Sequence, residues 1–305
     1  MDHDQYIPVK RSNLDLYKNI SLYYESGYKT HVLYKPAGRT LTARRINEGR
    51  HPKLYINRED RVAAIKELQK GFNNKLKNQI ASTNTVAVKN TLCNLVEETF
   101  REPRSGALQV LPETIDILVS GYSEQPEIIK TLASISFEDY TTIVHSVNVM
   151  ALTIGFCFYR NFSLKAIKKI GLSALLHDIG KIEIPLKILT APRKLSKKEY
   201  SIMKSHTIIG SEIIKANNWF DDFVAVGALE HHEKLDGSGY PKAEPKISFI
   251  GQLLSIIDCY EALTNETRPY RRAKKPFNTL QLIQKDVAAG KFNKEIFEQF
   301  CYSLT

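Results

Sequence analysis

Five of the eight histidines fall in the C-terminal two-thirds of the chain, each in apolar or helix-like company. They are His145 in "YTTIVHSVNVMAL", His177 in "ALLHDIGKIEIP", His206 in "MKSHTIIGSEII", and the pair His231 and His232 in "HHEKLDGSGYP". A lone histidine on an apolar face is usually a satisfied core residue. His177, however, is followed at once by Asp178, and a buried carboxylate is costly unless it is paired or bound to a metal. Asp258, inside the apolar run "LLSIIDCYEAL", makes the same demand. An aspartate has two oxygens and can bridge two hard cations while a histidine caps one of them. Adjacent helical residues point about 100° apart, so His231 and His232 serve two ions better than one. The helix carrying them is expected to end there. Five imidazoles and two carboxylates are too many for one tetrahedral zinc. They suit two octahedral ions that share a carboxylate and a water.

These residues need helices to hold them, and from Arg58 onward the pattern is helical. "REDRVAAIKELQKGFNNKLKNQI" places Val62, Ile65, Leu68, Phe72 and Leu76 at three- and four-residue steps. "ASTNT" (Ala81–Thr85) breaks the pattern, "VAVKNTLCNLVEETFRE" is amphipathic, "PRSGAL" breaks it again, and Pro112 stands near a helix start. The first 60 residues read differently. Asn19–Ser26 and Tyr28–Lys35 are rich in β-branched and aromatic residues around Gly27, which predicts a hairpin. Pro36–Thr40 reads as a turn and Lys53–Asn57 as a third strand. The expected fold class is α+β: a small mixed α/β N-terminal domain (1–80), a helical linker (81–110), and an all-α helical bundle domain (111–305).

Composition narrows the function classes. With 43% hydrophobic and 25% charged residues this is an ordinary globular chain. The longest largely apolar run, Val149–Tyr159, is shorter than the roughly 20 residues of a membrane span. The N-terminus opens with acids and shows no secretory signal, so a cytoplasmic protein with no membrane insertion is expected. Four scattered cysteines without a CxxC pair read as reduced, buried thiols. The net charge of +10 is concentrated in residues 1–80, which hold 16 Lys and Arg against 8 Asp and Glu. A solvated basic face accounts for this, and nucleic acid is not the expected partner. Lys35–Arg45 could hold an anion. His3, His31 and His51 belong to this front region and are given no role.

The ordered set "HDIGK" (His177–Lys181), "HHEKLDGSGYP" (His231–Pro241), "DCYEALTNETRPYRRA" (Asp258–Ala273) and "GKFNKEIF" (Gly290–Phe297) resembles the HD-GYP domain, a subgroup of the HD-domain metal-dependent phosphohydrolases. The resemblance covers roughly Glu138 to Phe300. It implies a helical domain around a metal centre and a phosphodiesterase that hydrolyses cyclic-di-GMP to pGpG or GMP. Water held between two divalent ions, iron or manganese, would be the nucleophile. Carried over by position, His177 and Asp178 are the namesake ligands, with Asp178 bridging. His145 and Asp258 complete one ion's shell, and His206, His231 and His232 the other's. The resemblance puts Lys181 at the scissile phosphate, Tyr240 in a loop beside the substrate, and Arg268 and Arg271 near the nucleotide. Gly237 and Gly239 would let that loop bend, with Tyr240 and Pro241 as its stiff tip. The family also uses this loop to dock GGDEF-domain proteins, so a receptor or adaptor that binds the dinucleotide without turnover is the other reading. A glutamate four residues before the His145 position holds a third ion in some members. Here that position is Thr141, so two ions are expected.

Overall fold

A hairpin turns at Gly27, as its sequence predicts. Strands β2 (Leu22–Gly27) and β3 (Thr30–Lys35) pair antiparallel. Strand β4 (Leu54–Asn57) pairs with β2, and β1 (Tyr6–Pro8) closes the far side, giving the order β1-β4-β2-β3. Strand β1 escapes sequence reading because three residues ending in proline carry no alternation. The computed structural model describes residues 5–27, 30–41, 46, 49, 51–135, 141–265 and 274–304. Lys35 does not serve an anion: its buried ammonium donates to the carbonyls of Lys18, Pro36 and Arg39. Residues 42–45 of that stretch lie outside the described residues.

Leu22, Leu54 and Ile56 belong to one core cluster with helix α1 (Arg61–Ala81). The apolar stripe of α1 is buried at Ile65, Leu68, Phe72, Leu76 and Ile80, while Val62 in its first turn stays exposed. Two buried polar residues of α1 tie it forward. Gln69 donates to the Thr99 hydroxyl and the Ala107 carbonyl, and Asn73 accepts from Thr114. The break at Ala81–Thr85 is real, because α2 (Thr85–Phe100) restarts under an Asn84 cap. The cap side chain accepts from Ala87, satisfying one of the free N–H groups of the first turn. Helices α3 (Leu111–Glu124) and α4 (Pro126–Leu132) follow, each with proline in its first turn.

The remaining helices are α5 (Thr142–Tyr159), α6 (Leu164–Leu176), the short α7 (Leu186–Leu189), α8 (Lys197–Lys204), α9 (His206–Ala216), α10 (Asp222–Glu230), α11 (Phe249–Thr264), α12 (Pro276–Ala288) and α13 (Lys294–Ser303). A 3-10 turn, Ile179–Glu183, joins α6 to α7. The fold is therefore α+β, a small antiparallel sheet leading into a helical body. By length and apolarity α5 could cross a membrane, although its longest apolar run looked too short in the sequence. Most of it is buried in protein, and it carries His145 and Asn148 to polar partners, so it is a core helix.

The basic front of the chain meets acids of the chain itself. Lys10 pairs with Glu97 (2.6 Å), Arg61 with Glu102 (3.0 Å) and Lys77 with Glu113 (3.5 Å). The charge asymmetry seen in the sequence is thus partly used between the front and the stretch 97–113.

Candidate metal centre

His145 stands in the first turn of α5, capped by the Thr141 hydroxyl, which accepts from the Val144 N–H (3.3 Å). His177 directly follows α6, and at Asp178 the backbone leaves the helix. The glycine of "HDIGK" has a steric reason. A Cβ on Gly180 would stand 2.0 Å from the His206 carbonyl oxygen and 2.6 Å from the Gly210 nitrogen. Only a residue without a side chain lets the turn lie against the start of α9, and this brings Asp178 to His206. "MKSHTIIG" is not one helical stretch: α8 ends at Lys204, and His206 opens α9. His231 caps the end of α10, as its sequence predicts, and Asp258 lies inside α11.

The side chains converge. Asp178 Oδ2 is 3.5 Å from the Nε2 atoms of both His145 and His177. Its other oxygen, Oδ1, is 3.3 Å from His206 Nε2 and 3.7 Å from His231 Nε2. Asp258 spans the same gap nearer the surface, with Oδ1 2.9 Å from His145 Nε2 and Oδ2 3.9 Å from His232 Nδ1. Two groups could each hold a cation, His145–His177–Asp178 and His206–His231–His232. Sequence reading put all seven residues at one centre, and the structure brings all seven together.

The hydrogen bonding shows why a cation fits. Nδ1 of His177, His206 and His231 donates to the carbonyls of Ala174 (2.7 Å), Met203 (2.6 Å) and Ala228 (2.9 Å). A carbonyl only accepts, so each Nδ1 carries the proton of the neutral ring and each Nε2 presents a lone pair. His206 Nε2 and His231 Nε2 then face each other at 3.3 Å, lone pair to lone pair. Asp178 Oδ1, between them, is buried without a hydrogen-bond partner. Such an orphaned acceptor costs about 1–3 kcal/mol, more when charged. A divalent cation among these atoms removes both penalties, so the residues present fit one.

Proton affinities follow the same plan. Burial lowers His177 to about 4 and His206 to about 3, and pushes His232 down as well. Neutral imidazole is the ligating form. Burial pushes Asp178 up, but Lys181 and His177 outweigh it and hold the carboxyl well below its usual range. His145 goes the other way, to about 9: burial opposes its charge, and Glu261 and Asp258 overcome that.

Glu261 is the residue sequence reading missed. Its carboxylate accepts from His145 Nδ1 (2.5 Å), Asn148 (2.7 Å) and Asn265 (3.1 Å). It fixes the ring so that Nε2 faces the centre, the usual task of a carboxylate behind a ligand histidine. The available signal was spacing. Glu261 is three residues after Asp258, and Asn148 three after His145, so each pair shares a helix face.

The other expected site residues among those described, Lys181 and Tyr240, adjoin these seven. Lys181 does not stand apart from the ligands: its ammonium is 2.5 Å from Asp178 Oδ2, with the side chain 20% exposed. Tyr240, expected in the loop beside the substrate, lies against the centre. The loop folds back so that its ring lies 4.7 Å from His232 and its N–H donates to the His232 carbonyl. Gly239 permits this, since a Cβ there would meet Lys234 N at 2.4 Å, and Gly237 turns at φ +75°. Buried Glu233 pins the far side by accepting from the N–H groups of Lys242 and Ala243. The "GKFN" stretch supports the loop from beneath: Lys234 lies over the Phe292 ring (3.7 Å), and Leu235 N–H donates to the Lys291 carbonyl. Arg268 and Arg271 lie outside the described residues.

A helical body with paired histidine groups around one buried aspartate is an arrangement able to hold cations, of the kind an HD domain builds. A family model described as "HD domain" matches residues 135–296, more than half of the chain. The chain belongs to this family, and its two signature motifs set it in the HD-GYP branch. It is 30% identical over 207 residues to a cyclic di-GMP phosphodiesterase of Pseudomonas aeruginosa, covering 66% of this chain and 49% of that one. It is 30% identical over 223 residues to a cyclic di-GMP phosphodiesterase of Thermotoga maritima, covering 71% and 60%. The matched region thus spans about half to three-fifths of these relatives. A 3'3'-cGAMP-specific phosphodiesterase of Vibrio cholerae is also 30% identical, over 52% of this chain and 36% of that one. The solved structure of an HDG"Y"P protein from Bdellovibrio bacteriovorus superposes with a TM-score of 0.64 at 19% identity, covering 97% of this chain and 98% of that chain. The fold is shared along nearly all of both chains.

Proposed function

We propose that this protein is a metal-dependent phosphodiesterase that hydrolyses cyclic-di-GMP to pGpG or GMP. The observation that carries the reading is Asp178, with one carboxylate oxygen turned to each histidine group. His145, His177, Asp178 and Asp258 would hold one ion, and His206, His231, His232 and Asp178 the other. Iron or manganese suits this mixed imidazole and carboxylate set. Divalent ions there would supply Lewis acidity and a water of lowered pKa. Two ions are expected and not three, because the Thr141 hydroxyl is engaged as a helix cap and offers no carboxylate.

The chain's own residues supply the rest. Lys181, at the mouth of the centre, is placed to offset charge on the phosphoryl oxygens once Asp178 is neutralised by metal. Tyr240 lines the same mouth beside His232. Arg268 and Arg271 are proposed nucleotide contacts. Water adds across one P–O ester bond, and the departing ribose oxygen takes up a proton. Residues 1–80 are proposed as a regulatory or docking unit joined through 81–110 to the catalytic part, 111–305. The exposed Asp236 and Ser238 of the GYP loop are what a GGDEF-domain partner would meet.

Metal analysis coupled to an anaerobic turnover assay tests the reading, with cyclic-di-GMP and 3'3'-cGAMP as parallel substrates because relatives are named for each. Two ions per chain with conversion of cyclic-di-GMP is the expected result. Metal-loaded protein that binds the dinucleotide but leaves it intact would favour the adaptor reading.

A further inference from the structure

Outside the signature motifs, helix α8 brings two side chains to the mouth of the metal centre. Tyr200 approaches Tyr240 edge-on, with ring centroids 6.3 Å apart. One turn on, the Lys204 ammonium lies over both rings, 5.5 Å from the Tyr200 centroid and 5.8 Å from that of Tyr240. The Tyr240 ring lies in turn 4.7 Å from His232. Two ring steps therefore separate the ammonium from a metal-ligand imidazole.

The Lys204 ammonium meets ring faces rather than an acid. Some lysines and arginines around the helical body reach a carboxylate, such as Lys169 to Asp221 and Arg193 to Glu199. Among the described residues Lys204 reaches none. The Tyr200 and Tyr240 hydroxyls likewise make no hydrogen bond to a described residue. Tyr200 is 49% exposed, Lys204 and Tyr240 half-buried, so all three open to solvent beside the centre. Two phenol rings and an ammonium gather here, with no carboxylate of the described residues paired to the ammonium. Each can donate a hydrogen bond to the same oxygen-rich, negatively charged group.

The proposed substrate supplies such a group. A cyclic dinucleotide is a closed ring with a phosphodiester on each side. When one occupies the metal centre, the other must lie nearby. We propose that Tyr200, Lys204 and Tyr240 form the seat for the second, non-reacting phosphodiester of the substrate. Lys204 carries the charge, and the two phenols fix the orientation. The seat gives the enzyme a way to prefer cyclic dinucleotides over esters with one phosphate. The proposal rests on the phosphodiesterase reading for its substrate and adds the residues that select it.

The test compares Lys204→Met and Lys204→Arg with the unaltered protein, all loaded with manganese. Two substrates are used: cyclic-di-GMP, with two phosphodiesters, and bis(p-nitrophenyl) phosphate, with one. For Lys204→Met the ratio of kcat/KM between the two should fall about tenfold, through KM for the dinucleotide, as expected for one lost charge-assisted hydrogen bond. Lys204→Arg keeps the charge and should recover most of the ratio. Equilibrium binding of cyclic-di-GMP reads the same seat without turnover, and its Kd should weaken about tenfold in Lys204→Met. An unchanged ratio and an unchanged Kd would overturn the seat. Unaltered protein that binds cyclic-di-GMP without hydrolysing it would overturn the phosphodiesterase reading alone, and the Kd comparison would still decide the seat. Unaltered protein that does not bind the dinucleotide would overturn both.

Discussion

Asp178 addresses both histidine groups through separate oxygens, so its loss should be felt at both. Asp178→Ala is expected to strip metal from the whole centre and abolish turnover, with far-UV circular dichroism nearly unchanged. Retention of full metal content would place the centre elsewhere. Glu261 acts through His145. In Glu261→Gln the amide could still accept from His145 Nδ1, but its NH2 would then face the NH2 groups of Asn148 and Asn265 that now donate to it. Metal affinity by chelator competition should fall about 10- to 100-fold. An unchanged affinity would reduce Glu261 to packing. The metal-free protein should also show a defined pH response. Folding lowers His177 to about 4 and His206 to about 3, below their unfolded value near 6.5. Between those values the unfolded chain binds more protons, so stability falls as pH drops from about 6.5 towards 4, by up to about 1.4 kcal/mol per pH unit for each group. The raised His145 works in the opposite sense: its contribution is present at low pH and is lost as pH rises through about 9. Urea midpoints of chelated protein across this range give the check, and a flat profile from pH 6.5 to 4 would contradict the burial of neutral imidazoles.

At the scale of elements, the centre depends on how closely two of them approach. The 3-10 turn Ile179–Glu183 lies against the first turn of α9 with no room for a methyl group at Gly180. The atoms in the way are backbone and cannot rotate aside. Gly180→Ala should therefore destabilise by about 2–3 kcal/mol and separate Asp178 from His206. A lower thermal midpoint with weakened metal binding is expected. An alanine variant with normal metal content would show that the two elements can part without disturbing the ligands. The same logic applies in the GYP loop, where Gly239 lies against Glu233 and Lys234.

Across the whole molecule, the front and the helical body share one core, from Leu14 to Phe300. A chain beginning at residue 81 would lose Gln69 from Thr99 and Ala107, Asn73 from Thr114, and the buried face of α1. Orphaned buried groups cost about 1–3 kcal/mol each, and net stability is only about 5–15 kcal/mol. Such a truncated chain should aggregate or melt without a cooperative transition, as read by calorimetry and size-exclusion chromatography. A truncated chain that binds metal and melts cooperatively would make the front an independent appendage.

The sequence by itself picked out the seven residues that meet at the centre, the end of the helix at His231, the break at Ala81–Thr85 and the hairpin at Gly27. Each is written locally, as a residue type at a fixed spacing or a turn residue between two patterns. Only the tertiary structure decided which oxygen of Asp178 faces which histidine group, because that depends on α6, α9 and α10 meeting at one point. The same holds for Glu261 behind His145, 116 residues away, and for the folding back of Tyr240 onto His232. Lys204 is the extreme case. In sequence it is one more lysine on an amphipathic helix, and its place over the Tyr200 and Tyr240 rings beside the centre appears only when the surrounding side chains are in place.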